Sequence, residues 1–155
     1  MNNNTTTSDT TPNNTTTLNT FDDITFEPKS NKRFIVNIKL SNNNESLVPS
    51  YIIKSISRPA CTKENDSWVW LPLYLTLYDP IELNISKELL TNKSEPLTIT
   101  ITMLGPVADV IETWKISNAF ISHIDLDYLR LSNENEPHEP LEIKLQIKYS
   151  NAEVL

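Results

Sequence analysis

The side chains most able to carry out chemistry are scarce in this chain. The sequence holds two histidines, His123 and His138, and a single cysteine, Cys61. No two of them lie at the spacing of a zinc-ligand pair, and none adjoins another as a nucleophile adjoins its base. We therefore expect no His-containing zinc site, and we interpret His123 as an imidazole that is either on the surface or satisfied by hydrogen bonds. One cysteine cannot form an internal disulfide, which indicates a reducing compartment.

Two carboxylates form a second chemical candidate. Asp125 and Asp127 lie two residues apart in the segment IDLDY, so in a strand they share one face. Such a pair could serve acid–base chemistry or bind calcium, but both roles need further convergent oxygens that the sequence does not identify. A solvated polar face is the better interpretation. Glu134, Glu136 and Glu139 extend this charge, either as a solvated loop or as an anionic surface.

The scarcity of glycine and the placement of the aromatic residues limit the classes of ligand that the chain could bind. Gly105 is the only glycine, so neither a dinucleotide-binding loop nor a phosphate-binding P-loop can be written. The aromatic residues of one alternating run share a strand face and could stack on a sugar, although core packing is the commoner role of such a stripe. They are Trp68, Trp70, Tyr74 and Tyr78. No nucleophile–base pair or metal cluster can be assembled, so we expect a protein without enzymatic activity or cofactor.

The composition describes one domain of ordinary size. The chain has 155 residues, with 20 acidic and 13 basic side chains and a net charge of -7. An acidic balance argues against a surface that binds duplex DNA. No run of about 18 apolar residues occurs, and the first residues lack the basic and apolar segments of a secretory signal. We therefore expect neither a membrane span nor classical secretion.

The chain divides into an arm and a domain. Residues 1–20 contain fifteen Asn or Thr, which bury too little apolar surface to offset their ordering entropy. We interpret them as a flexible arm, which is either inert or orders against a neighbouring subunit. Residues 21–155 form a single β-rich domain with no evident internal repeat.

Short runs with a period of two predict the strands of that domain. The predicted strands are 33–40, 51–56, 68–78, 97–104, the pair 110–116 and 118–124, and 141–149. We expect both faces of 68–78 to be covered, because both are apolar. A short helix begins near Asn84 or Ser86. This pattern predicts a mainly β or β-dominated α+β domain, an antiparallel sandwich or barrel of about seven strands with at most one short helix.

Five sequence segments, in order, resemble the tail tube proteins of contractile-tailed bacteriophages. They are KRFIVNI, PSYIIKSISRP, LTLYDPI, VIETWKISNAFISHIDLDYL and EPLEIKLQIKY, and they extend over most of the chain after about Asn31. The resemblance depends on the order and spacing of all five segments, since any one of them alone is weak evidence. The resemblance implies that certain residues are core or motif positions, namely Trp114, Phe120, Leu126, Tyr128, Ile143 and Leu145.

Members of that family are barrel-like or sandwich-like subunits that assemble into stacked hexameric rings. Their inner strands join into one continuous barrel around the channel for genome ejection. The resemblance therefore implies a structural virion protein, assembled in the bacterial host cytoplasm. Its implied partners are further copies of itself and the sheath, baseplate and tail-terminator proteins, with DNA passing through without specific binding. An acidic chain suits a lumen that DNA must not stick to.

Two polar strand faces are candidates for the lumen or for contacts between subunits. One consists of Thr98, Thr100 and Thr102, and the other of Glu142, Lys144, Gln146 and Lys148. The sequence does not say which face has which role.

Two departures from the family pattern leave open the alternative that the chain is a paralogue of the main tube protein. The connection between Pro80 and Leu97 is short where family members usually have a longer helical insertion, and the Asn/Thr-rich leader is an addition. A ring that initiates the tube at the baseplate, or one that terminates it, is therefore the first alternative. A carbohydrate-binding sandwich is the second, because of the aromatic run.

Overall fold

The computed structural model describes residues 28–131 and 138–155, which form ten strands and one α-helix. The predicted arm, residues 1–20, lies outside the described residues, as do Glu134 and Glu136. The strands are β1 (Phe34–Leu40), β2 (Ser46–Val48), β3 (Ile53–Ile56), β4 (Cys61–Glu64), β5 (Ser67–Trp70), β6 (Leu73–Tyr78), β7 (Leu97–Leu104), β8 (Val110–Leu126), β9 (Glu142–Lys148) and β10 (Asn151–Val154). The helix is α1 (Ile85–Thr91), and a 3-10 turn at Ser50–Ile52 precedes β3.

The mainly β, antiparallel prediction is confirmed. Eight strands form one antiparallel arrangement in the order β2-β1-β7-β8-β9-β6-β3, with β10 also paired to β8, while β4 and β5 form a separate hairpin. The helix begins where it was predicted, with Asn84 at its N-cap. It is not long and apolar enough to cross a membrane, and it is the only α-helix in the described ranges.

Strand β8 divides the arrangement into two sheets. Its first half pairs with β7 and β10, and its second half pairs with β9. We call β2, β1, β7, the first half of β8 and β10 sheet A, and the second half of β8, β9, β6 and β3 sheet B. The two strands predicted on either side of Ser117 are therefore one bent strand. The bend lies at Asn118, whose φ of 51° places an extra residue in the strand, so that Ile116 and Ala119 both point inward.

The two sheets face each other across one apolar core. Alternate residues of β1 and β7 in sheet A and of β6 and β9 in sheet B are buried, as the period of two predicts. Ile99 and Ile101 are examples of the buried residues that sheet A contributes, and Leu75 and Leu145 are examples from sheet B. The helix adds Leu89 to the same core.

The predicted strand 68–78 is two strands, because Pro72 cannot donate to a strand ladder. Its last part forms β6, whose leucines are buried. The expectation that both faces are covered is wrong for the single subunit, since Trp68 is 71% exposed and Tyr74 is 59% exposed.

Candidate assembly surface

Sheet B ends in two strands that are each paired on one side only within the described chain. Strand β3 pairs with β6, and the second half of β8 pairs with β9. The first half of β8 differs, because Ile116 has Ile99 of β7 on one side and Ala152 of β10 on the other. Unpaired N–H and C=O groups along a strand are a template for pairing with another chain. Sheet B therefore has two open edges, β3 and residues Phe120–Leu126.

A groove of about 410 Å³ lies beside the open edge of β8. Its walls are residues 121–124 of β8 and, at the end of α1 and in the following turn, Leu90, Lys93 and Ser94. The strand is irregular here, and the Ser122 hydroxyl donates to the Gln146 carbonyl at 3.0 Å. The groove separates this stretch of β8 from the end of α1.

The outward face of sheet B carries one of the two predicted polar faces. Glu142, Lys144, Gln146 and Lys148 all lie on it, in β9. The neighbouring strands add aromatic and charged side chains, since Tyr78 lies opposite Glu142 and Asp125 opposite Lys144. This face is therefore of mixed sign and partly aromatic.

An ion pair joins β9 to the β3 edge. The Lys54 ammonium group binds the Glu142 carboxylate, and it lies 5.6 Å from the centre of the Tyr78 ring. The hydrogen bond to Glu142 is the main reason that the pKa of Lys54 is raised.

The other predicted polar face lies on the opposite side of the molecule. Thr98, Thr100 and Thr102 are half-buried on the outward face of sheet A. The hydroxyl groups of Ser41 and Thr98 lie 3.0 Å apart, and Lys115 of β8 is opposite Thr100. The two faces predicted from the sequence therefore cannot line the same surface of one subunit.

A partly buried carboxylate near the start of β8 ties three parts of the chain together. Glu112 is 9% exposed at its side chain, and it binds Lys29 and accepts hydrogen bonds of 2.6 Å from Arg58 Nη2 and Trp114 Nε1. These donors, led by Lys29, lower the pKa of Glu112 to about 2. The cluster fastens the residues before β1 and the β3–β4 connection to β8. The sequence interpretation missed it, although Glu112 shares the inward parity of Trp114 and Ile116.

The β4–β5 hairpin presents apolar side chains to solvent. Its turn residues Asn65 and Asp66 have φ values of 45° and 64°, which is how a primed turn forms here without glycine. Trp68 is exposed at this hairpin, while Trp70 packs on Tyr149 with ring centres 5.6 Å apart. The aromatic run considered as a sugar platform is thus divided between the hairpin and sheet B.

The motif positions implied by the resemblance fall into two groups. Ile143 and Leu145 are buried in the core, and Trp114 packs against it. The others are exposed in the single subunit: Phe120 at 45%, Leu126 at 43% and Tyr128 at 73%. These three are not core positions here, and they lie along or just beyond the open edge of β8.

The remaining chemical candidates stay dispersed. Across residues 28–131 and 138–155, no three His, Cys, Asp or Glu side chains are grouped to hold a metal ion. Asp125 and Asp127 lie exposed at the end of β8, and Cys61 is exposed in the hairpin.

No family model matches the sequence, and no curated protein sequence matches it. Solved structures do match the fold. A chain in the structure of the anti-feeding prophage cap, a tube-terminating cap, aligns with a TM-score of 0.57 and 17% identity over 89% of this chain and 98% of that chain.

Two further structures extend the comparison. A chain in the sheath–tube complex of the extracellular contractile injection system PVC aligns with a TM-score of 0.55 and 16% identity, over 84% of this chain and 93% of that chain. An Hcp protein aligns with a TM-score of 0.55 and 13% identity, over 77% of this chain and 88% of that chain. The protein therefore has the fold found in tube and Hcp proteins of contractile systems.

Proposed function

We propose that the protein is a structural subunit that joins further copies head to tail into rings, and that these rings stack into the inner tube of a contractile tail. The observation that carries the proposal is the pair of open edges of sheet B. A closed ring removes both edges at once, which a single subunit cannot do.

The strand directions suit this closure. Sheet B contains four antiparallel strands, so its two edge strands, β3 and β8, run in opposite directions. When β3 of one copy lies beside β8 of the next, the new pair is also antiparallel. Every junction in the ring then repeats the pairing within the subunit. The resemblance to tail tube proteins supports six copies in each ring.

In such a ring, the outward face of sheet B lines the channel. This changes the expectation of an acidic lumen, because Lys144 and Lys148 on this face accompany Glu142 and Asp125. The acidic excess of the chain is not concentrated here. DNA that is ejected through this channel meets separated lysines interspersed with carboxylates, without the dense cationic cluster that binds phosphates tightly.

Stacking requires contacts at the ends of the subunit. The exposed Trp68 and Val69 of the β4–β5 hairpin supply an apolar contact of the kind that is buried between subunits. We propose that this hairpin contacts the adjacent ring.

A role in starting or ending the tube is the second candidate. It is favoured by the fold match to a chain in the structure of a tube-terminating cap, beside the match to a tube complex. Baseplate, sheath and terminator proteins are the further partners in either case. Tube length separates the two roles, because a main tube subunit polymerises into long tubes and a terminal subunit stops at single rings.

Electron microscopy and sedimentation of the purified protein over a concentration series test the proposal. Cys61→Ser serves as a control, so that disulfide-linked oligomers are excluded. We expect hollow rings or tubes without added nucleotide or metal, which do not retain duplex DNA at physiological salt. Monomers at every concentration, or a two-fold dimer that buries like edges together, would refute it.

A further inference from the structure

The two open edges of sheet B carry opposite charge. Strand β3 contributes Lys54 and contains no acidic residue. The second half of β8 contributes Asp125, and Asp127 follows at its end, while this stretch contains no lysine or arginine. Within residues 28–131 and 138–155, neither aspartate forms an ion pair.

These charges also lie at matching levels of the sheet. Asp125 is opposite Lys144, Lys144 is opposite Thr76, and Thr76 is opposite Ser55. Lys54 lies in the irregularity between Ile53 and Ser55, so it is at nearly the same level of sheet B as Asp125. Asp127 lies two residues further along the same strand edge. When copies join level, Lys54 of one copy meets Asp125 of the next, and a shift of two residues brings Asp127 instead.

We propose that Lys54 and the Asp125–Asp127 pair form an ion pair between neighbouring copies, and that this pair makes β3-to-β8 joining the permitted contact. The inference rests on the proposed ring and specifies how its copies recognise each other. Two β8 edges brought together would oppose four carboxylates that have no ion-pair partner in the described part of the chain, whereas two β3 edges would oppose two Lys54 groups that each bind Glu142 of their own copy. Like charges directly opposite each other are unfavourable, so the β8-to-β8 dimer is disfavoured most, and only β3-to-β8 joining brings opposite charges together.

Reversing the charges on the two edges tests this proposed ion pair. The variants are K54E and D125K/D127K, with K39E and E88K/E153K as matched controls away from both edges. Each is purified, checked for folding by circular dichroism and thermal unfolding, and scored for rings by sedimentation and electron microscopy at low salt. We expect K54E and D125K/D127K each to need at least tenfold more protein to form rings, and the controls to match the unchanged protein.

Mixing gives the decisive result. In a 1:1 mixture of the two variants, each junction can pair opposite charges if copies alternate, so we expect rings of even copy number to return. The triple variant K54E/D125K/D127K should assemble with itself but not with the unchanged protein.

Three outcomes would overturn the proposal or its basis. If the unchanged protein forms rings and both variants do so at equal concentration, the proposed ion pair is wrong while the ring stands. The ion pair is also wrong if two folded variants fail to restore rings when mixed. If the unchanged protein forms no rings, the proposed function itself fails.

Discussion

Sheets A and B share one core but differ at their margins. In sheet A, the edge strands β2 and β10 have three and four residues. In sheet B, β8 leaves a seven-residue edge open, Phe120–Leu126, beside a groove. Sheet A presents a row of threonines outward, and sheet B presents lysines, carboxylates and tyrosines. Alternation of apolar residues thus builds both sheets, while the seven-residue open edge of β8 and the charges beside it distinguish sheet B from sheet A.

Core substitutions should affect both sheets alike and give the largest effects. Leu75→Ala in sheet B and Ile101→Ala in sheet A each remove a fully buried side chain. We expect each to lower the free energy of unfolding by about 2–5 kcal/mol, measured by urea denaturation. A much smaller loss for either variant would show that the two sheets do not share one core, and would undermine the comparison.

Glu112 ties the residues before β1 and the β3–β4 connection to β8, and its variant should have the next largest effect. Glu112→Gln removes the charge that Lys29, Arg58 and Trp114 contact, so we expect a loss of about 1–3 kcal/mol at pH 7. Because the folded pKa is lowered from 4.5 to about 2, this stabilisation is complete above the ordinary value and is lost as the pH falls toward 2. Thermal unfolding from pH 7 to pH 2 measures it.

The matched control for Glu112 is an exposed carboxylate on the same sheet. Glu153 lies 3.8 Å from Lys115, and both side chains are about half exposed, so Glu153→Gln should cost less than about 1 kcal/mol. If the two variants unfolded alike across the pH range, the Glu112 cluster would be no more than a surface ion pair.

The hairpin should separate stability from stacking. Trp68 is exposed, so Trp68→Ala should change the free energy of unfolding by only about 0.5 kcal/mol. We expect rings to persist and tubes to shorten, as counted by electron microscopy. Val107→Ser, which alters an exposed apolar residue in the β7–β8 turn, should leave tube length unchanged. Tubes of normal length from Trp68→Ala would exclude the hairpin from the ring–ring contact.

The alternation of apolar residues allowed the β class, the short helix and the core rows of β7 and β9 to be predicted. It failed where a single residue changes the parity. Asn118 joins two predicted strands into one because its left-handed backbone inserts a residue, and sequence periodicity treats such an insertion as a break. Pro72 has the opposite effect, because it divides the run 68–78, which the alternation predicts as one strand, into β5 and β6.

The candidate assembly surface was harder to predict from the sequence than the strands, because an open edge depends on which distant segments pair with each other. Nothing local in IKSI or FISHIDL indicates that, among the described residues, β3 and the second half of β8 each pair with one strand only. The two polar faces were found from alternation alone, but their separation onto opposite sheets depends on the order of the strands. The resemblance implies that Phe120 and Tyr128 are core or motif positions, and only the fold places Phe120 on the open edge of β8 and Tyr128 just beyond it.

Two threonines offer the finest test of which sheet faces the channel, with the smallest effect on stability. Thr76 and Thr100 are both half-buried and lie outward in central strands, Thr76 in sheet B and Thr100 in sheet A. Introduced singly with Cys61→Ser, Thr76→Cys and Thr100→Cys should each alter the free energy of unfolding by about 0.5 kcal/mol or less. In monomers, both thiols should react similarly with a bulky maleimide. In tubes, reaction at position 76 should slow at least tenfold, because the reagent enters the channel only through the two ends of the tube, while position 100 should react as before. Protection of position 100 instead would assign the channel to sheet A and reverse the comparison between the two sheets.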